Sequence, residues 1–149
     1  DGMNSDLIIG AILISFIALV YLVNMILGGI GDLFGIQLTL QTILGYIFAP
    51  INYAMGIPWH EAVYTGSVLG QKMVLNEFVA YVDFTKNIAG LSEKTIAIMS
   101  FALLGFANVA ALGLQSGALG AIAPNRRSEI AQVGRRAVVA GFLASLLNG

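Results

Sequence analysis

The sequence predicts an all-α polytopic membrane protein, in which transmembrane helices are joined by a re-entrant helical hairpin and one helix is discontinuous. Three observations carry this. Of 149 residues, 58% are hydrophobic and only 10% charged, and mean hydropathy is +0.87, whereas a soluble domain is about 45–50% apolar with glycine included and about 25% charged. No Asp, Glu, Lys or Arg occurs from Leu7 to Gly31, from Leu33 to His60, or from Thr95 to Asn125. Each of these stretches exceeds the roughly 20 residues that a helix needs to cross hydrocarbon. Finally, the later apolar stretches are interrupted by proline, glycine and isolated polar residues, as a plain bundle of spans would not be.

Leu7–Leu27 is a proline-free apolar run with Asn24 as its one strongly polar interior residue, and Gly28-Gly29-Ile30-Gly31-Asp32 is expected to end it. The preceding Asp1–Asp6 is acidic, unlike the basic start of a secretory signal. Leu40–Met55 is apolar but carries Pro50, which removes a helical donor and disfavours helix just before it. This stretch reads as an interfacial or bent helix, with Tyr46, Tyr53 and Trp59 suited to headgroup level. Pro58 suits the first turn of a new helix. Two short apolar helices, His60–Leu69 and Val74–Phe84, meeting at a polar Gly70-Gln71-Lys72 tip describe a hairpin, a form allowed at membrane depth only where protein or a cavity surrounds it.

Glu93–Ile122 is long enough to cross, yet Phe106–Gly113 suggests a break in mid-span. Ser128 is a candidate N-cap for a last helix, with Glu129 in its favourable first turn. Arg126, Arg127, Arg135 and Arg136 surround the connection between the last two spans and mark it as cytoplasmic. That placement puts residue 1 in the cytoplasm as well, although Asp1 and Asp6 lean weakly the other way. The apolar run from Ala137 stops at Gly149, as though a membrane helix were about to finish, so a segment of a longer protein is expected.

Several functions lack support. With net charge −1 and no basic–aromatic tract, nucleic-acid binding has no footing. Absence of cysteine removes disulfides and thiolate metal sites. No histidine–carboxylate metal cluster, Ser/His/Asp set or phosphate-binding glycine loop is present, so the reading is of a non-enzyme without cofactor or metal. His60, the single histidine, reads as a surface residue beside Trp59.

The candidate site residues are the polar ones inside apolar sequence. Glu77, in Val74-Leu-Asn-Glu-Phe-Val-Ala-Tyr81, is an ionisable group at membrane depth and therefore a functional candidate; the competing reading is a structural ion pair with Lys72. Asn108 is either an interhelical hydrogen-bonding residue or part of a helix break offering backbone groups and half-helix dipoles to a polar ligand. Phe106 is either a ligand-stacking platform or a lipid-facing filler, the second being favoured. The glycines at 105, 113, 117 and 120 read first as close-packing positions.

Gly70-Gln-Lys-Met-Val-Leu-Asn-Glu-Phe-Val-Ala-Tyr81, Gly105-Phe-Ala-Asn108 and Ser116-Gly-Ala-Leu-Gly-Ala-Ile-Ala-Pro124 resemble the C-terminal half of the concentrative nucleoside transporters. Phe48-Ala-Pro50 and Gly56-Ile-Pro-Trp59 fit the same family, and the resemblance covers essentially the whole chain. It implies one half of an inverted-repeat transporter. Residues 1–36 would form a scaffold transmembrane helix and connection, 37–57 an interfacial helix, 58–90 the re-entrant hairpin, and 91–149 the discontinuous and final transmembrane helices.

The resemblance further implies uptake of nucleosides coupled to sodium or protons, an elevator-like movement, a homotrimer in the lipid bilayer, and location in a bacterial inner membrane. Glu77 and Asn108 would bind the ribose hydroxyls and Phe106 would pack near the nucleoside, with Asn76, Ala111 and Lys72 as neighbours. The coupling-ion site would lie outside this segment. Ala110 and Ala111 depart from the family, whose members commonly carry serines there, one of which assists ribose binding. Two other readings remain open on the residues alone: a related transporter of another polar solute with Glu77 as proton-coupling carboxylate, or a non-transporting helical subunit.

Overall fold

A computed structural model describes the backbone of residues 2–149 and the side chains of residues 10, 11, 14, 15 and 17–149. Seven α-helices occur among the described residues, with no strand: α1 (Gly2–Leu33), α2 (Leu40–Ala54), α3 (Trp59–Val74), α4 (Glu77–Lys86), α5 (Glu93–Ala102), α6 (Val109–Ile122) and α7 (Arg127–Asn148). Two compact units divide the chain, residues 1–43 and 44–149.

In the first unit, α1 continues through Gly28, Gly29 and Gly31 and stops at Leu33, later than the sequence suggests. The stop comes at Gly35, whose φ of 68° provides the left-handed turn that commonly closes a helix. Asn24 is not a membrane-facing oddity. Its Oδ1 accepts from Leu40 N at 2.8 Å and its Nδ2 donates to Gln41 at 2.9 Å, so it binds the start of α2. Thr39 adds a cap, accepting from Thr42 N at 3.1 Å.

In the second unit, α3 and α4 form a helical hairpin that packs against α5, while α7 runs beside α5 and α6. The buried interior is made by Val68, Leu69, Ala80, Phe84, Met99, Ala102 and Leu103. Helices α2 and α3 cross at Gly45 and Gly66. A Cβ on Gly66 would come within 2.6 Å of the Gly45 carbonyl oxygen and 2.9 Å of Ala49 N, so only hydrogen fits there. Ile122, Leu114, Leu143 and Leu147 stay exposed, an apolar surface larger than water tolerates and suited to lipid.

Among the described residues, Pro124–Asn148 is long and apolar enough to cross a membrane, and Val109–Ile122 is a shorter apolar helix. The 14 residues of α6 cover about 21 Å, short of the hydrocarbon thickness. The discontinuous helix therefore needs both halves to cross. Its break lies at Leu103–Asn108, slightly earlier than the Phe106–Gly113 window of the sequence. The residues from Val109 are helical because Asn108 caps them.

The hairpin also turns later than expected. Gly70, Gln71 and Lys72 remain in α3, and the break falls at Leu75 and Asn76. Gln71 and Lys72 are buried polar residues, each hydrogen-bonded to a partner elsewhere in the fold and neither part of a turn. Gln71 donates to Asp83 Oδ2 at 2.7 Å across the hairpin, and Lys72 donates to the Ala102 carbonyl at 2.6 Å.

Candidate functional site

The site is built where the two breaks meet. At the hairpin break, Asn76 has extended backbone and its Oδ1 accepts from Val79 N at 2.9 Å, an N-cap that starts α4. Glu77 is then the first residue of α4, where a carboxylate is favoured by the helix dipole. At the second break, Asn108 repeats the device: extended backbone, with Oδ1 accepting from Ala111 N at 2.7 Å to start α6.

Asn108 is buried, and its Nδ2 donates to Glu77 Oε2 at 3.0 Å. A longer bond of 3.3 Å goes from the same Nδ2 to the Phe106 carbonyl. Two helix N-termini thus converge on one half-buried carboxylate, whose charge is met by the positive ends of both half-helices. Glu77 accepts one bond from Asn108 among the described residues. A carboxylate holds about four acceptor positions, which leaves capacity for donors from a ligand.

Of the sequence-predicted residues, Glu77, Asn108 and Asn76 come together. The Phe106 ring is 75% exposed, available as an apolar platform beside the pair. Ala111 contributes its backbone N–H to the Asn108 cap, so that donor is occupied, and its side chain brings no hydroxyl. Lys72 does not pair with Glu77. Among the described residues Arg126 pairs with Glu129, and Glu61 contacts His60 Nε2 at 3.5 Å, an ion pair only where that imidazole is protonated. His60 is exposed as expected, at 79%.

A groove of about 620 Å³ opens between α6 and α7, lined among others by Phe106, Ala111, Gln115, Arg126, Glu129 and Val133. Glu77 and Asn108 do not line it. The chemistry therefore points to the polar pair and not to this mainly apolar groove, which Phe106 and Ala111 border.

Sequence reasoning missed the supports. Glu61 is buried in the first turn of α3, a helix that is not among those long and apolar enough to cross a membrane, and accepts from both Ser92 N and Ser92 Oγ at 3.0 Å. The Thr95 hydroxyl and these Ser92 donors hold its carboxyl below the usual range, against the opposing effect of burial. Tyr81 donates to the Ser100 carbonyl at 2.7 Å and Tyr64 to the Asp83 carbonyl at 2.8 Å. Ser92 followed by Glu93 and Thr95 is a recognisable helix start, but its tie to Glu61, 31 positions away, has no local signal.

The whole chain, residues 1–149, matches the family described as Na+ dependent nucleoside transporter C-terminus. The chain belongs to this family. It is 53% identical over 148 residues to the transporter YutK of Bacillus subtilis (strain 168), covering 99% of this chain and 37% of that protein. It is 37% identical over 153 residues to the nucleoside permease NupC of Helicobacter pylori (strain ATCC 700392 / 26695), again covering 99% of this chain and 37% of the relative. A solved structure of CNTnw in an inward-facing substrate-bound state superposes with a TM-score of 0.90 at 46% identity, over 99% of this chain and 37% of that one. This nucleoside transporter C-terminal segment is thus an integral-membrane helical assembly, spanning 37% of the length of these relatives.

Proposed function

We propose that this segment supplies the sugar-binding part of a cation-coupled nucleoside uptake protein. The observation that carries the reading is Glu77 held half-buried by Asn108 at 3.0 Å, at the junction of two capped half-helices. A ribose diol offers two O–H donors, and a carboxylate is the acceptor that takes both where water is scarce. Asn108 orients that carboxylate. It also neighbours the exposed Phe106 ring, against which an apolar face of the ligand packs. Ala110 and Ala111 add no side-chain hydroxyl, so the bond that the family resemblance assigns to a serine there is either missing or made by backbone or water.

Cation coupling by sodium or protons, an elevator movement, a homotrimer and a bacterial inner membrane complete the proposal. Sodium coupling is supported by the family description, and a change of conformation by solved structures of the relative described as inward-facing, intermediate and outward-facing states; the trimer and the inner membrane rest on the family resemblance alone. Uptake of radiolabelled uridine by the full-length protein in proteoliposomes tests the central assignment. Glu77→Gln should reduce uptake at least about 100-fold, since two charge-assisted hydrogen bonds are each worth about 1.5–3 kcal/mol. Protein yield and oligomeric state should be unchanged. Normal uptake kinetics in that variant would remove Glu77 from the site.

A further inference from the structure

Lys72 is the largest fully buried side chain of the second unit, at 0% exposure. No carboxylate lies within ion-pair distance of it among the described residues. Its Nζ donates instead to the carbonyl of Ala102 at 2.6 Å, the last residue of α5. The carbonyl end of a helix carries about half a negative charge, and here it faces protein because the helix is interrupted. In broken membrane helices such an end is a place where cations are held. The remaining surroundings suit an ammonium. The Phe142 ring centroid lies 5.8 Å from Nζ, within the range of a cation–π contact. Gly105, inside the break, leaves the room: a Cβ there would come within 3.2 Å of Nζ and collide with the Ser145 hydroxyl.

We infer that Lys72 is a tethered cation, a positioning residue whose ammonium occupies the carbonyl end of half-helix α5 and thereby fixes the break that presents Asn108 to Glu77. The lysine acts through the backbone. It holds the last turn of α5 and the Leu103–Asn108 segment in one arrangement, and it links the end of α3 to the end of α5. An untethered cation could take its place if the side chain were removed. A neutral side chain of the same length could not, because it would fill the space and leave the carbonyl end unpaired.

The test uses the full-length protein as wild type and as two variants, Lys72→Ala and Lys72→Met. Thermal unfolding in detergent is the first readout and does not depend on nucleoside transport. Lys72→Ala should unfold at least about 5 °C lower, and 100 mM methylammonium chloride should recover about half of the loss, by binding the folded state alone. Tetramethylammonium chloride at the same ionic strength, too large for the site, should recover nothing. Lys72→Met should be destabilised and unresponsive to either salt.

Uridine uptake is the second readout and rests on the proposed function; it should fall at least tenfold in both variants and be regained in part by methylammonium only in Lys72→Ala. Lack of uridine uptake by the wild type would refute the transport reading while leaving the unfolding comparison decisive for Lys72. Wild-type stability in Lys72→Met, or equal responses of Lys72→Ala to the two salts, would overturn the tethered cation. If Lys72→Ala yields no folded protein, the comparison passes to Lys72→Met, where folding at wild-type yield and temperature is again the overturning result.

Discussion

At the residue scale, Asn108 performs two tasks with one amide. Its oxygen starts α6 and its nitrogen orients Glu77, so a simple deletion mixes folding with binding. Serine separates them. A serine at an N-cap serves as well as asparagine but has no amide to reach the carboxylate. Asn108→Ser should keep thermal stability within about 0.5 kcal/mol of wild type and raise the uridine KM roughly 10-fold, the worth of one hydrogen bond to a charge. Asn108→Ala should lose about 1 kcal/mol of stability in addition, as cap removal does. Equal stability losses in the two variants would show that the cap is not what the side chain contributes.

Glu77 and Asn108 were legible in the sequence because hydrocarbon makes polar residues conspicuous. Lys72 is equally conspicuous, and the ion pair with Glu77 that stands as the competing reading is not formed. Its proximity to Glu77 in sequence suggested an ion pair, whereas its hydrogen bond runs to a backbone carbonyl 30 positions on. Sequence distance carries little information once a helix has turned the side chain away. Asn24 shows the same effect in milder form, since its partners at 40 and 41 lie beyond the end of its own helix.

At the scale of elements, the broken helices were foreseen and their ends were not. The sequence suggests glycine terminators at Gly28–Gly31 and at Gly70. The actual ends are set by Gly35 in a left-handed conformation and by the caps Asn76 and Asn108. Glycine is tolerated inside a membrane helix where packing rewards a small residue, as at Gly66 against Gly45. A cap must be in place for the next helix to begin. The asparagines were therefore better markers of the boundaries than the glycines.

The tie between α3 and α5 supplies a pH prediction. The folded-state pKa of Glu61 is lowered from 4.5, so its ionised form stabilises the fold fully above the unfolded value. That contribution disappears as pH falls through the lower folded value. The thermal midpoint of the full-length protein in detergent should therefore decline on acidification below about 4.5, the unfolded value. In Glu61→Gln the midpoint should be lower at neutral pH and the acidic decline shallower. An acid decline of unchanged slope in that variant would assign it to other carboxylates.

At the scale of the whole molecule, the two units differ in what they expose. The described part of α1 carries Tyr21, Met25 and Leu33 at 73%, 68% and 82% exposure, a face too apolar for water and free to meet lipid or another copy. The second unit has its own polar ties and buried interior. The proposed function assigns assembly to the first unit and movement to the second, and the assembly can be checked. Full-length protein in mild detergent should have the mass of three chains by light scattering, and Glu77→Gln should leave that mass unchanged. A monomer or dimer would exclude the trimer without touching the sugar site.

The outer end of the hairpin has a mechanical consequence. Glu61 is fastened to Ser92, Gln71 and Tyr64 fasten α3 to α4 through Asp83, and Tyr81 fastens α4 to Ser100. Fastened along its length in this way, the hairpin resembles a stiff lever with a single soft joint at Leu75–Asn76. A displacement of the fastened part would be expected to reach that break, beside the carboxylate, with the hydrogen-bonded helices moving together.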